Sequence, residues 1–244
     1  MCYQKSLNQS QDNLTRYMDK PPIDEGIFEP YFLNDGFTHD KVYIIPMNEP
    51  GHWYPANWGL VPSYTNPEDF YANRKYNTLN ARDDKIFDSR IYGKPIREGR
   101  CLIFADGFFE PHHAAGQSQP YFCYLEESRN YEDREIFTFA GIYNIDKSGN
   151  YSTSLVTVDA NPLFEKVHNK ARRMPLVLDR KFESEWIREG QPETVIKDIM
   201  GEGFTSRSFT AHPVINYRLK KNRDLKNTRK VIEPAEALDK ELSL

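Results

Sequence analysis

Short runs of β-branched and aromatic residues, separated by polar segments rich in Gly, Pro, Asn and Asp, dominate the chain from residue 42 onward. Such runs are typical of β-strands, because branched and aromatic side chains pack well on a pleated surface. The pattern predicts strands over the following segments: 42–46, 53–64, 101–105, 120–126, 136–145, 153–160, 174–178, 204–209 and 212–215. The strand over 101–105 should end in a turn at Asp106–Gly107, and the last two strands should form a pair.

Helical spacing is found in fewer places. Apolar residues recur at helical intervals over 179–190, and Gly190 ends this pattern. Further helices are expected over 8–18, 83–91, 161–167 and 192–200, whereas 21–40 and 73–80 should be irregular. Because strands outnumber helices and do not alternate with them, the pattern predicts an α+β fold with an antiparallel, barrel-like β core and flanking helices. We expect a single domain over 1–244 with a basic tail from about residue 218.

Composition changes this picture only slightly. The 244 residues, of which 39% are hydrophobic, suffice for one large core. No apolar run approaches the ~20 residues of a membrane span, and the first residues lack the apolar core of a secretory signal. Cys2, Cys101 and Cys123 are an odd number without zinc-like spacing, which favours reduced thiols. We therefore expect a cytoplasmic monomer without membrane contact.

Charge is distributed unevenly along the chain. The formal net charge of −4 argues against coating of nucleic acid by bulk charge, but not against a local groove. Basic residues concentrate in two late groups: Lys166, Lys170, Arg172 and Arg173, and then Arg218, Lys220, Lys221, Arg223, Lys226, Arg229 and Lys230. Such groups usually form a solvated face, and the second group fits this explanation as well as it fits contact with phosphates.

The second residue has the most distinctive candidate chemistry. Cys2 follows Met1 directly, so removal of the methionine would leave a cysteine with a free α-amine. Such a 1,2-aminothiol captures aldehydes: the amine forms an imine and the thiol closes a five-membered thiazolidine on the same carbon. Taken alone, Cys2 is better explained as a small residue at an undemanding position.

Four further blocks carry polar residues beside apolar runs. They are WGLVPSY (58–64), NARDD (80–84), ADGFFE (105–110) and HNKARRMP (168–175). Each has a structural explanation: Asn80 could cap a helix, Arg82 could pair with a surface acid, Glu110 could end a strand, and His168 could be a satisfied core histidine. No single block indicates a function.

Taken in order with Cys2, FTFAGIYN and VTVDAN, these blocks resemble the signature of the SRAP family, the SOS response-associated peptidase or abasic-site processing proteins. The resemblance covers nearly the whole chain. It implies an α+β domain with a barrel-like core, whose N-terminal cysteine crosslinks to abasic sites in single-stranded DNA during replication at the nucleoid. It implies no cofactor, and the older family name reflects a proposed peptidase activity.

The resemblance also assigns roles to residues of this chain. The implied catalytic residues are Cys2, Asn80, Glu110 and His168, and the implied DNA-binding residues are Trp58, Tyr64, Arg82, Thr157, Lys170, Arg172 and Arg173. His168 would open the sugar ring, Glu110 would move the protons of imine formation and reversal, and Asn80 would orient the amine or a sugar hydroxyl. Arg82 would hold a phosphate, and Tyr64 would stack on a base.

Several positions depart from the family pattern. Tyr3 and Gln4 follow Cys2 where many members have Gly-Arg, Pro111 replaces a common tryptophan, and Tyr64-Thr65 replaces a tryptophan pair. Four residues separate His168 from Arg173. We expect Lys170 and Arg172, which lie in this insertion, to compensate for the missing N-terminal arginine.

Two other functions fit the same residues. Cys2, His168 and Asn80 could serve an N-terminal cysteine peptidase as nucleophile, base and oxyanion donor. The basic groups could instead belong to a non-covalent nucleic-acid binding module. A metal site at His112 and His113 is rejected, because neighbouring strand residues point to opposite faces and no third ligand is suggested.

Overall fold

The computed structural model describes residues 2–73, 76–203, 207–240 and 242. The strands in this part of the chain are β1 (Gln4–Leu7), β2 (Tyr31–Asp35), β3 (Lys41–Pro46), β4 (Tyr54–Trp58), β5 (Asn80–Arg82), β6 (Arg100–Ala105), β7 (Gly107–Ala114), β8 (Gln117–Leu125), β9 (Phe137–Ile145), β10 (Tyr151–Asp159), β11 (Arg173–Pro175), β12 (Val177–Leu178) and β13 (Phe209–Pro213). The helices are α1 (Gln11–Met18), α2 (Pro67–Ala72), α3 (Pro95–Glu98), α4 (Pro162–Val167), α5 (Arg180–Trp186) and α6 (Glu193–Glu202). The α+β class predicted above is confirmed.

Five strands close a barrel. They pair in the order β10-β4-β3-β6-β9, and β9 pairs again with β10. Closure removes the open edges that a flat sheet of aromatic strands would expose. The barrel is not wholly antiparallel, since β10 runs parallel to both β4 and β5. The long connection from these strands to β10 permits that direction, which tight hairpins do not.

A second sheet has the order β13-β8-β7-β1-β2 and is antiparallel throughout. The chain passes from the barrel into this sheet at Asp106, between β6 and β7. Gly107 is required there because a Cβ at this position would collide with the ring of Phe122. Asp106 is completely buried and pairs with the equally buried Arg134, at 2.9 Å between Oδ2 and Nη2. This buried pair ties the start of β7 to the segment between β8 and β9.

The core contains all three tryptophans, Trp53, Trp58 and Trp186, each at most 1% exposed. Local signals explain the helices that border it. At α4, Asn161 Oδ1 accepts a hydrogen bond from the Phe164 backbone N–H, and Pro162 occupies the first turn, where its missing N–H costs nothing. The helix predicted over 161–167 is therefore confirmed.

Some predicted elements are wrong. Residues 83–91 form turns rather than a helix, and the short helix of this region is α3. The segment 174–178 is divided between β11 and β12, because its two ends pair with different strands, β10 and β9. The strand expected over 53–64 ends at Trp58. The final pair is the single strand β13, which adds to β8, and residues 204–206 lie outside the described residues.

The basic segment from residue 218 is not a free tail. It forms 3₁₀ turns at Lys220–Leu225 and Arg229–Val231 that pack on the second sheet. Val231 and Ile232 are each 1% exposed, and Asn227 Oδ1 accepts the backbone N–H of Phe32 on β2 at 2.8 Å. The segment is thus held by buried contacts despite its charge.

Candidate active site

Three elements bring the candidate catalytic residues together at the N-terminal end of β1. β1 pairs with β7 in a register that sets Gln4 opposite Phe109, so Cys2 lies beside the part of β7 that carries Glu110. β5 begins at Asn80, whose Nδ2 donates to the Cys2 backbone oxygen at 2.8 Å. Asn80 and Cys2 are 78 positions apart in sequence, and Asn80 is held in place by the pairing of β5 with β10.

Glu110 and His168 form a buried pair next to Cys2. His168 ends α4, and its Nδ1 lies 3.1 Å from Glu110 Oε2. The same nitrogen lies 3.0 Å from the Arg173 backbone oxygen. Because a carbonyl oxygen only accepts, Nδ1 carries the hydrogen in this arrangement, and the carboxylate competes for that hydrogen. The two acceptors fix the ring orientation of His168.

The electrostatics of this pocket keep the Cys2 thiol protonated. Complete burial raises the thiol pKa, and the nearby charge of Glu110 raises it further. The neighbouring Cys123 shows the same effects, burial first and then Glu110. A thiol in this setting is a weak nucleophile until a base removes its proton. In this structure the thiol donates to the Gln4 backbone oxygen at 3.4 Å.

Asn80 has one further property of a positioning residue. Its Oδ1 is buried and accepts no hydrogen bond within the described part of the chain, while its Nδ2 holds the Cys2 carbonyl. A buried acceptor left unpaired costs about 1–3 kcal/mol. An amine or hydroxyl arriving beside Cys2 would satisfy it.

A cleft of about 100 Å³ opens beside Glu110. Tyr3 and Gln4 line one side of it and Tyr217 and Arg218 line the other. Gln4 Nε2 donates to the Tyr217 hydroxyl at 2.9 Å. The sequence interpretation placed Arg218 in a basic tail, whereas the fold brings it to the reactive residues. The only signal in the sequence was that the second basic group begins at this residue.

Asp35 holds Arg218 in that position. Arg218 Nη2 lies 3.2 Å from both carboxylate oxygens of Asp35, and the Tyr217 hydroxyl also donates to this carboxylate. Half of the Arg218 side chain remains exposed to solvent. Its Nη1 donates to no group among the described residues, so the guanidinium can still bind an anion.

Residues 1–217 match the sequence model of a protein family that is described as SOS response associated peptidase (SRAP). The chain belongs to the SRAP family. The abasic site processing protein HMCES of Rattus norvegicus is 30% identical over 213 residues, which are 77% of this chain and 58% of that protein. The abasic site processing protein YoqW of Bacillus subtilis is 30% identical over 170 residues, which are 68% of this chain and 70% of that protein. This chain therefore spans less than two thirds of the rat relative.

The SRAP fold is also found among solved structures. A protein from Bacteroides thetaiotaomicron superposes with a TM-score of 0.81 at 25% identity, covering 96% of this chain and 100% of that one. The predicted barrel-like α+β architecture is thus confirmed by an independent comparison. Arg218 lies one position beyond the residues that the SRAP model matches.

Two residues expected to contact DNA lie in the core of this SRAP chain. Trp58 is 1% exposed, and its Nε1 donates to the Leu79 backbone oxygen at 3.1 Å. Thr157, in the middle of β10, is completely buried. Neither presents a surface to a nucleic acid in this structure, and neither contacts the Cys2 pocket. The expectation of direct DNA contact is corrected for both, since they support the barrel.

Arg173 is also committed to the interior. It is 5% exposed, and its guanidinium binds Asp83 at 2.5 Å, Asp159 at 2.6 Å and the Thr157 backbone oxygen. Two carboxylates already neutralise its charge. Arg173 therefore acts first as a link between β10, β11 and the turn after β5, rather than as an open phosphate contact.

The remaining expected DNA contacts lie on the surface. Tyr64 is 76% exposed, and Arg82 is exposed with a bidentate ion pair to Asp84, at 3.0 and 2.8 Å. Lys170 and Arg172 are exposed on the loop after His168. Unlike Trp58 and Thr157, these four side chains are exposed and remain candidates for DNA contact.

The structure gives His112 a role of its own. His112 Nε2 lies 3.0 Å from Asp239, and its Nδ1 lies 3.0 Å from the Lys166 backbone oxygen. It therefore ties the C-terminal segment and the end of α4 to β7. Within the described residues, no three His, Cys, Asp or Glu side chains form a group that could hold a metal ion. The described helices also include none long and apolar enough to span a bilayer.

Proposed function

We propose that this SRAP protein captures abasic sites in single-stranded DNA by covalent reaction with Cys2, once Met1 has been removed. The observation that carries the proposal is the convergence of Asn80, Glu110 and His168 on the start of β1, as described above. Relatives that cover much of this chain are named abasic site processing proteins, which supports the same substrate. The thiazolidine would shield the lesion from strand cleavage.

The reaction requires two bond-forming steps at one carbon. The Cys2 α-amine attacks the aldehyde of the ring-opened sugar, and loss of water gives an imine. The thiol then adds to the imine carbon: the S–C bond forms, and the thiol proton is transferred to the imine nitrogen. Because burial and the charge of Glu110 raise the pKa of the thiol, this transfer needs a base, and we assign that role to Glu110.

His168 supports the earlier ring opening. A closed abasic sugar needs proton transfer between its ring oxygen and its hydroxyl group before an aldehyde is exposed. An imidazole ring can donate a proton through one nitrogen and accept one through the other, so His168 would serve the ring oxygen and the hydroxyl in turn. Its contact with Glu110 at 3.1 Å joins the two groups into one proton-transfer pair.

Local charge would hold the DNA strand, because the net charge of −4 provides no general attraction. Arg82, Lys170, Arg172 and Arg218 are the exposed cations near the pocket or on its loops. Phosphate contacts position a strand without reading its sequence, and stacking on Tyr64 is equally tolerant of sequence. Both properties suit a protein whose lesion lacks a base.

The deciding experiment is a denaturing gel of the protein with a single-stranded oligonucleotide that carries one abasic site. We expect a band shift that survives heat, requires the lesion and disappears in Cys2→Ala, while intact mass shows the loss of Met1. Cys123→Ser is the matched control, because it removes another completely buried thiol that has no α-amine. Absence of the shifted band in protein that has lost Met1 would refute the proposal.

The same gel separates the other two functions. Salt-sensitive binding that is unchanged by Cys2→Ala would indicate a non-covalent module. Hydrolysis of peptides without any response to abasic DNA would indicate a peptidase. The geometry gives the peptidase no support, since the carbonyl of the bond before Cys2 belongs to Met1, whereas Asn80 donates to the carbonyl of Cys2.

A further inference from the structure

An aromatic cleft lies next to the reactive pocket and has no part in the chemistry described so far. Its volume is about 560 Å³, within the range of about 300–1,000 Å³ that is usual for ligand pockets. Its lining consists of Phe37, His39, Tyr71, Tyr76, Asn77 and Leu79. Four of these six side chains carry a flat ring.

Two of the rings are open to solvent. Phe37 is 50% exposed and Tyr76 is 52% exposed. Large exposed apolar side chains that share one concave surface are a mark of binding, whereas single ones are ordinary. The exposed faces of these rings are therefore the feature to be explained.

The rings are held in place by the protein itself. His39 stacks on Tyr71 with a centroid distance of 4.0 Å and an angle of 16°. The Tyr71 hydroxyl donates to the Gly59 backbone oxygen at 2.6 Å. Tyr76 stacks on Phe70 at 5.3 Å and 7°. A flat ligand would meet walls that are already ordered, which lowers the entropic cost of binding.

The cleft is continuous with the reactive pocket through Tyr3. The Tyr3 ring packs on Phe37 with a centroid distance of 4.9 Å, and Tyr3 also lines the cleft that contains Glu110. Leu79, at the floor of the aromatic cleft, directly precedes Asn80. A strand that placed one nucleotide at Cys2 would thus bring a neighbouring base to the aromatic cleft.

A cation lies at the junction of the two clefts. The Arg218 guanidinium carbon is 5.5 Å from the centre of the Phe37 ring, and Arg218 lines the cleft beside Glu110. A phosphate joining the two nucleotides would find its counter-charge there. The aromatic cleft, the Arg218 guanidinium and the pocket that contains Cys2 therefore follow one another along the surface.

We propose that the cleft between Phe37 and Tyr76 binds the base of a nucleotide that flanks the abasic site, with Arg218 at the phosphate between them. This inference rests on the proposed function, because it assumes that DNA reaches Cys2. It adds a subsite that recognises an intact neighbouring base by stacking. It predicts that capture is efficient only when the neighbour on one particular side of the lesion still carries its base.

The test uses single-stranded oligonucleotides with a central tetrahydrofuran, a non-reactive abasic analogue, and measures affinity by fluorescence anisotropy. A second tetrahydrofuran removes one base at a time on either side while the backbone stays intact. We expect the loss of one particular flanking base to weaken binding by about fivefold to 150-fold, the range of one stacking interaction. Loss of bases further away should have little effect.

Variants identify the cleft as the source of the effect. Phe37→Ala and Tyr76→Ala should weaken binding of the oligonucleotide with the flanking base and abolish the difference between the two oligonucleotides. Tyr76→Phe keeps the ring and should retain the difference. Ile23→Ala removes another exposed apolar side chain, 40% exposed and absent from the lining of this cleft, and should change nothing. Thermal melts confirm that each variant is folded.

The outcomes separate this inference from the proposed function. The subsite would be overturned if removing either flanking base left the affinity unchanged. It would also be overturned if the affinity difference between oligonucleotides with and without the flanking base persisted in Phe37→Ala and Tyr76→Ala. A parallel gel with a reactive abasic oligonucleotide reports the crosslink alone. If the crosslink forms and flanking bases have no influence, only the subsite fails; if no crosslink forms, the proposed function fails, and anisotropy still decides the subsite.

Discussion

Asn80 and Asn34 offer a test in which two nearly identical hydrogen bonds should have different consequences. Asn80 Nδ2 donates to the Cys2 carbonyl at 2.8 Å, and Asn34 Nδ2 donates to the Lys41 carbonyl at 2.8 Å. Both side chains are buried, at 8% and 5% exposed, and in both the Oδ1 atom is unpaired within the described residues. Only Asn80 contacts the reactive residue.

Asn80→Asp changes the donor into an acceptor without changing its shape. The Cys2 carbonyl loses its partner, which costs about 1–3 kcal/mol of unfolding free energy, and a charged oxygen then faces a carbonyl oxygen in a buried site. Burial raises the pKa of the introduced carboxyl, so the folded protein binds a proton that the unfolded chain has released. Its cost is therefore larger at pH 8 than at pH 5, by about 1.4 kcal/mol for each unit by which the folded-state pKa of the new carboxyl exceeds 5.

Asn34→Asp should lose similar stability with the same pH dependence, because its environment is equivalent. Urea unfolding at pH 5 and pH 8 measures this loss, and single-turnover crosslinking measures the reaction. We expect Asn80→Asp to slow crosslinking by about tenfold for each 1.4 kcal/mol that the hydrogen bond to the Cys2 carbonyl contributes to holding Cys2 in its reactive position. Asn34→Asp should leave the crosslinking rate nearly unchanged. Equal crosslinking rates in the two folded variants would refute a positioning role for Asn80.

Three further results are expected. Glu110→Gln keeps the side-chain shape but cannot accept the thiol proton, so single-turnover crosslinking should slow by about 10²–10⁴-fold; an unchanged rate would exclude it as the base. Burial lowers the pKa of Lys5 from 10.5 to about 7, so between these pH values the unfolded chain binds one proton more than the folded protein. The free energy of unfolding should therefore rise from pH 7 to pH 9. Urea titrations should detect this rise in the native protein and not in Lys5→Met. Arg82→Ala should weaken DNA binding and reduce its salt dependence by about one ion, whereas Arg173→Ala should chiefly lower the melting temperature; the reverse pattern would contradict the burial argument.

Elements with a strong local pattern were predictable from the sequence, and those that depend on distant partners were not. The β6, β9 and β10 segments are rich in β-branched and aromatic residues, and their strands were expected. β1 escaped notice because Gln4–Leu7 contains a lysine. Lys5 is buried nonetheless, since its ammonium group reaches Tyr31 OH at 2.5 Å and the Phe104 backbone oxygen at 2.6 Å. Neither partner is visible in the local pattern.

The candidate site shows the same division. The order of blocks along the chain pointed to Asn80, Glu110 and His168, but the Asn80–Cys2 contact and the Glu110–His168 pair depend on a tertiary arrangement that no local pattern gives. The family resemblance implied that Trp58 binds DNA, and the fold places it in the core instead. Arg218 was hidden in a run of charges, although its position beside Glu110 makes it a stronger candidate for phosphate binding than its sequence context suggested.

The last prediction separates the amine of Cys2 from its thiol. Insertion of one alanine between Met1 and Cys2 leaves a chain that begins with alanine after methionine removal, so the thiol remains but the 1,2-aminothiol is lost. We expect no heat-stable crosslink from this variant. Cys2→Ser keeps the amine and loses the thiol, so its imine should be trapped by borohydride and, left untrapped, should lead to strand cleavage by β-elimination.

Together the two variants distinguish the thiazolidine from a simple thiol adduct. If the thiol alone reacted with the lesion, the insertion variant would still crosslink, and Cys2→Ser would give no borohydride-trapped product. If both groups are needed, each variant loses the stable product in its own way, and only Cys2→Ser shows imine chemistry. A heat-stable crosslink from the insertion variant would refute the thiazolidine, because no five-membered ring can close without the α-amine on the same residue as the thiol.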